Sequence, residues 1–209
     1  MELSASITAF VTFFVIIDPV GLMPLFVAMT QGMSTPKRRS IAITAVVTAT
    51  FLLTLFAFLG EAVLNFVGIS MPAFRIAGGI LLFLTALDML FERRSKRRGE
   101  TAGEHADDDQ DDPSIFPLAT PLLAGPGAIA TAILLVEQAD GVLGTIMVLL
   151  AMFAVLAITL IMFFSAGLFE RILGPTGINV VTRLLGMLLG ALAIQFILDG
   201  LKDFAPTLT

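Results

Sequence analysis

Cysteine, tryptophan and tyrosine are absent from this 209-residue chain, and histidine occurs once. Without thiols there are no structural disulfides, thiolate metal sites or dithiol electron relays. Without Trp and Tyr, the usual aromatic belts at the two membrane–water interfaces are missing, and the 18 Phe residues are left to fill part of that role. Charge is scarce too: Asp, Glu, Lys and Arg make up 14% of the chain. The net charge of −5 arises mostly in one acidic tract, so its sign says little about partners, and nothing points to nucleic acid. His105 lies outside every apolar run, which excludes a Ser–His pair or a histidine metal site within one. Asp18 is the one carboxyl at the centre of an apolar run, so a two-aspartate intramembrane protease would lack its second carboxyl. The reading is a non-enzyme with no cofactor and no metal centre.

What remains is apolar: 57% of residues, with a mean hydropathy of +0.97. Six runs are long enough to cross a bilayer, which takes about 20 residues as a helix. They extend over Ser4–Met29, Ser40–Phe66, Met71–Phe91, Ile115–Val136, Gly141–Phe169 and Gly177–Leu201. A membrane β-barrel would show short alternating strands instead, so the expected class is an all-α integral membrane bundle. The first run is too long for a signal-peptide core and lacks a small-residue cleavage site, and is read as a first span.

Loop charge sets the orientation. Lys37, Arg38 and Arg39 follow the first span; Arg93, Arg94, Lys96, Arg97 and Arg98 follow the third; Arg171 and Arg183 bracket the start of the sixth. With six spans, these ten cations fall on one side and only Arg75 and Lys202 on the other. The positive-inside rule then places both termini away from the cytoplasm. The linker from Glu92 to Ser114 is the one long polar segment, basic and then acidic, and its composition predicts a disordered cytoplasmic hinge. It divides the chain into a first three-helix unit, residues 1–91, and a second, residues 115–209.

The two units resemble each other. Helix-breaking residues interrupt the first span at Asp18-Pro19-Val20-Gly21 with Pro24, and the fourth at Gly125-Pro126-Gly127 after Pro117 and Pro121. The two breaks are 107 residues apart. Gly68-Ile69-Ser70 with Arg75-Ile76-Ala77-Gly78 matches Gly177-Ile178-Asn179 with Arg183-Leu184-Leu185-Gly186 at nearly the same offset. Three spans per unit is an odd number, so the copies must run in opposite senses. This is the inverted-repeat plan of many secondary transporters, in which discontinuous helices mark the binding site near the midplane.

Asp18 is the sharpest candidate, because an ionised carboxyl at mid-membrane costs at least a few kcal/mol and intramembrane charges are usually functional. Its structural alternative is to cap the helix resuming at Pro19; the two roles are compatible. Pro19, Gly21 and Pro24 disrupt the first span, and Gly125, Pro126 and Gly127 the fourth. Backbone groups freed at that depth must line protein or a cavity. Gln195 is a further candidate substrate contact, with Asn65, Thr120 and Thr131 as polar options. Arg75 with Asp199, and Asp88 with Arg183, are candidate ion pairs at the outer and inner ends, gating or structural, against the alternative that each charge snorkels to headgroups. Gly186 and Gly190 make a Gly-x-x-x-Gly pair suited to close helix packing.

These residues resemble the MarC family of bacterial inner-membrane proteins over nearly the whole chain outside the Glu92–Ser114 linker. The resemblance rests on Asp18-Pro19-Val20-Gly21 with Pro24 and Phe26, Phe74 to Ile80 and on to Asp88, Phe116 to Ala119 and Gly125 to Ala128, and Thr182-Arg183-Leu184 to Gly200. Leu22 stands where the family often has Asn. The resemblance implies a LysE-like exporter superfamily, some of whose members are described as small neutral amino-acid transporters. The expectation is secondary transport of a small solute across the inner membrane, proton-coupled through Asp18. A cation channel or exporter, or a non-transporting membrane scaffold of a stress response, are the alternatives. Oligomeric state is left open.

Overall fold

The computed structural model describes residues 2–91 and 112–205. Most of the linker, with His105 and the acidic tract, lies outside them, and so does its expected disorder. The described elements are all helical: α1 (Glu2–Ile17), α2 (Pro19–Met29), α3 (Thr35–Val67), α4 (Met71–Leu90), α5 (Ser114–Leu123), α6 (Pro126–Glu137), α7 (Gly141–Phe164) and α8 (Ala166–Phe204). Five stretches are long and apolar enough to cross a membrane: Ala5–Met29, Thr35–Val67, Met71–Leu90, Gly141–Phe164 and Gly174–Phe204. The bent pair α5–α6, with 55° between its halves, makes a sixth if the two halves together form one span.

The third helix shows why this packing needs lipid. Ala42, Ala45, Ala49, Leu53, Ala57 and Gly60 form its buried face, while Ile43, Val47, Phe51, Leu55 and Phe58 are exposed on the other. A helix apolar all round fits a membrane rather than water. Small residues on the buried face let neighbours approach: Gly60 meets Ile133 of α6 so closely that a Cβ there would overlap it. Exposed hydroxyls are satisfied within their own helices, as Thr85 and Thr145 donate to the carbonyls of Leu81 and Gly141. Such bonds spare the hydroxyl a desolvation cost in hydrocarbon.

Helix limits differ from the apolar runs in identifiable ways. Pro36 sits in the first turn of α3 and starts the helix a polar turn early, at Thr35. The fifth span ends at Phe164, because the chain turns at Ser165 and resumes as α8. That helix breaks at Gly174 (φ 61°) just before Pro175, so its long crossing starts there. Ser114, expected in the linker, is buried and opens α5.

The closest helix pair is α4 with α8. Gly79 lies on Ala193 and Ile197, Gly186 on Ala86 and Met89, and Gly200 on Pro72 and Ile76, so the two helices are antiparallel. One end of the pair is clamped by Arg75, which is buried and holds Glu137 of α6 and Asp203 of α8. The expected partner, Asp199, is not on this guanidinium. Asp199 lies one turn short of Asp203 and accepts instead from Gln195 Nε2 at 2.9 Å along its own helix.

The glycine contacts predict a contrast. A Cβ on Gly186 would stand 2.8 Å from Met89 Cβ, whereas one on Gly190 meets Ala86 at an ordinary 3.7 Å. Gly186→Ala should destabilise the detergent-solubilised protein by about 1–3 kcal/mol, and Gly190→Ala should leave its thermal midpoint unchanged. For the clamp, Arg75→Gln should cost about 1–3 kcal/mol, less than a fully buried pair because Glu137 and Asp203 are partly exposed. Asp199→Asn should shift stability by no more than about 0.5 kcal/mol. Equal midpoints for the last two variants would contradict the clamp.

Candidate functional site

At Asp18 the backbone turns into the left-handed region (φ 55°, ψ 64°), the one described non-glycine residue with positive φ. Asp is among the few residues that tolerate this. The helical ladder nearly survives: the Asp18 amide donates to the Phe14 carbonyl and the Leu22 amide to the Asp18 carbonyl, both at 3.0 Å. Pro19, at the first position of α2, has no N–H to orphan. The Gly21 amide donates to Asp18 Oδ1 at 3.0 Å, so Asp18 caps α2 with its own carboxyl. Gly21 makes this possible, because a Cβ there would overlap Oδ2. Asp18 is 1% exposed, and its chain neighbours Ile16, Ile17, Leu22 and Met23 are buried as well. Pro24 follows inside α2 and is half-buried.

The second break is built differently. Phe116 and Thr120, each preceding a proline, are held extended (φ −130° and −132°), as the proline ring requires of its predecessor. The Phe116–Pro117 and Thr120–Pro121 bonds are cis. The remaining amides reach back five residues, Leu118 to Pro113 and Ala124 to Ala119. Gly125 is pressed against the Pro121 carbonyl, with no room for a Cβ. α6 then starts at Pro126 with no side chain capping it. Its first-turn amides are ones that a helix cannot satisfy internally. The rings of Pro121 and Pro126 face outward, while Ala128, Ala130 and Thr131 turn inward.

The structure brings the two breaks together. A Cβ on Gly127 would lie 3.0 Å from Ile16 Cδ1 and 3.5 Å from Leu82. The start of α6 therefore abuts α1 two residues before Asp18. Thr131, one turn further along, is buried with no partner for its hydroxyl; Thr54 and Thr182 share that state. α2 and α6 leave this point in opposite senses. α6 ends at Glu137 on the Arg75 clamp. α2 runs to the other end, where Phe26 stacks on Phe163 with ring centroids 4.5 Å apart. At the clamp end a cavity of about 560 Å³ opens between α1, the end of α6 and the start of α7. Ser6, Thr8, Gln138 and Asp140 supply its polar lining.

Other expected residues lie elsewhere. Gln195, the further candidate substrate contact, is exposed on the outer face of α8, because the inner face of that turn belongs to Ala193 and Phe196. Asn65 is exposed near the end of α3. Asp88 and Arg183 lie at the α4–α8 end opposite the clamp, and neither is without a partner. Glu137 and Asp203 were missed. Both end apolar helices at the same end of the bundle as Arg75, and counting the carboxylates that close the apolar runs would have raised them beside Asp199.

The MarC family integral membrane protein profile matches residues 3–205. A UPF0056 membrane protein of Aquifex aeolicus is 36% identical over 197 residues, covering 94% of this chain and 92% of that one. The UPF0056 membrane protein YhcE of Escherichia coli is 35% identical, covering 95% and 93%. YvbG of Bacillus subtilis, another UPF0056 membrane protein, is 33% identical over the full length of both chains. No solved structure matches the chain. With a family profile spanning nearly every residue and relatives this similar from end to end, the chain belongs to the MarC family of integral membrane proteins.

Proposed function

We propose that the chain is a secondary transporter of a small zwitterionic solute, a neutral amino acid, and that its site lies where the two broken spans meet. The carrying observation is the contact of Gly127 with Ile16, which sets the uncapped start of α6 beside the carboxyl-capped start of α2. Helix N-termini favour anions, so the amides after Pro126 suit a solute carboxylate. Asp18 suits its ammonium group, or a coupling proton. Gly21 and Gly127 let backbone approach the solute, and Pro19, Pro24 and Gly125 hold the breaks open.

An inverted repeat is the frame that best explains the packing. α1 packs on α7 and α3 on α5 and α6, so the first span of each unit lies on the second span of the other, while α4 lies on α8. Contacts are reciprocal at the residue level too. Gly79 reaches Ala193 and Ile197, and Gly186 reaches Ala86 and Met89, so a glycine of each helix is seated on the other. In this frame Asp18 is nine residues from Ala9 at the cavity and eight from the Phe26–Phe163 stack, about 13 and 12 Å of helix, which puts it near the midplane. The cavity is then an outer vestibule and the Phe stack an inner closure. Arg75 with its two carboxylates, and Asp88 and Arg183 opposite, are the groups that would rearrange as the ends open in turn. The cations gathered beyond α2 favour an inner membrane with both termini outside.

The test is uptake into proteoliposomes across an amino-acid panel, with and without an imposed pH gradient. Asp18→Asn keeps a capping residue that tolerates positive φ and should hold the thermal midpoint while lowering flux about tenfold or more, as loss of a charge-assisted contact would. Asp18→Ala should in addition destabilise by about 1 kcal/mol through loss of the cap. Folded wild-type protein that moves no solute under any gradient would sink the proposal.

A further inference from the structure

A second pocket, of about 280 Å³, lies at the end opposite the vestibule, between the start of α3 and the α7–α8 junction. Its polar wall is Thr35, Arg38, Arg39 and Ser165; its apolar wall includes Phe26, Phe163 and Phe164. Among the described residues, neither arginine meets a carboxylate. Arg38 is instead placed by a ring: its guanidinium lies 5.7 Å from the Phe26 centroid. Phe26 is itself 1% exposed and stacked on Phe163 at a 10° interplanar angle. An arginine set on a rigid aromatic pair is preorganised, so less freedom is lost when it binds.

The charge arrangement there is unfavourable by itself. Lys37, Arg38 and Arg39 stand in adjacent positions, third to fifth in α3, and the first turn holds no acid. Like charges repel one another, and cations are disfavoured at this end of a helix. An anion in the pocket would relieve both. Two guanidinium forks and two hydroxyls offer more donors than a carboxylate has lone pairs in one plane, and match the tetrahedral oxygens of a phosphate. At the mouth, Phe164 and Leu168 are 47% and 61% exposed, an apolar rim beside a basic pocket as a phosphate-bearing lipid requires.

We infer that this pocket is a phosphate-binding site, held by Arg38 and Arg39 and served by Thr35 and Ser165. The phosphate comes from a lipid headgroup or from a free phosphate. Recognition there does not require that the bundle carry a solute. It would also bear on the inner end of the bundle, because the ring under Arg38 is the one that stacks on Phe163.

The lack of Trp makes the test clean. Phe164→Trp places a single indole at the rim of the pocket. In phosphatidylcholine nanodiscs, brominated phosphatidylglycerol should quench it with a half-point about tenfold lower than brominated phosphatidylcholine. In neutral detergent, inorganic phosphate at constant ionic strength is tested by its effect on the thermal midpoint. Quenching preference alone assigns a lipid headgroup, a phosphate-dependent midpoint alone assigns free phosphate, and both together assign recognition of the phosphate group from either source. R38Q/R39Q should abolish either response. R38K/R39K keeps both charges and the fold while losing the planar forks, and should weaken the response about threefold or more. No response in either arm, or an R38K/R39K response equal to wild type, overturns the site, the latter by showing diffuse attraction to basic surface.

Discussion

In hydrocarbon, a backbone amide or carbonyl without a partner costs several kcal/mol. That constraint governs this chain, because its two interrupted spans break the ladder that normally meets it. Each break meets the demand differently. At the first, Pro19 removes one amide, Asp18 Oδ1 takes the amide of Gly21, and the flanking bonds to Phe14 and from Leu22 close the rest. At the second, amides reach back five residues instead of four, and the restart at Pro126 has no side-chain acceptor. The first break is capped by a side chain of its own; the second restarts without one.

That difference sits inside a reciprocal packing arrangement. The glycines of α4 and α8 seat each helix on the other, and Arg75 ties that pair to the end of α6. A bundle of this kind has little hydrophobic force between its helices, since lipid tails are as apolar as leucine. Close contact at Gly79, Gly186 and Gly200 and one charged clamp must carry what burial carries in water-soluble folds. Polar groups are correspondingly few, and those left buried without partners, such as the hydroxyl of Thr131, stand out.

Much of this could be read in the residues. The helical class, the crossing segments and the two sites of disruption follow from apolar run length and from where Pro and Gly fall, because backbone satisfaction leaves little choice of structure at such hydropathy. The capping role of Asp18 was legible for the same reason: an acid before Pro, three residues ahead of Gly. Pairing was not. Asp199 and Asp203 are one turn apart on α8, and only the tilt and level of three packed helices decide which reaches Arg75. Gln195 was misplaced because every residue of a membrane helix sits in an apolar run, so hydropathy does not distinguish the lipid face from the interior. The proximity of Gly127 to Ile16 is tertiary as well, and no local pattern encodes it.

Asp18 carries two demands that meet in one carboxyl. Its Oδ1 caps α2, and α2 carries Phe26 two turns further on, against Phe163. Under the proposed cycle, a solute ammonium or a proton that draws Oδ1 away from Gly21 leaves the first turn of α2 short of an acceptor, a penalty of about 1 kcal/mol. In that cycle a helix so released is freer to shift at its far end, where Phe26 stacks on Phe163. The αL turn at Asp18 supplies the pivot, since one residue there already departs from the helix while the bonds on both sides persist. On that proposal, a cap made of the binding group itself would link the occupied site mechanically to the Phe26–Phe163 stack, and it needs no residue beyond those the break already requires.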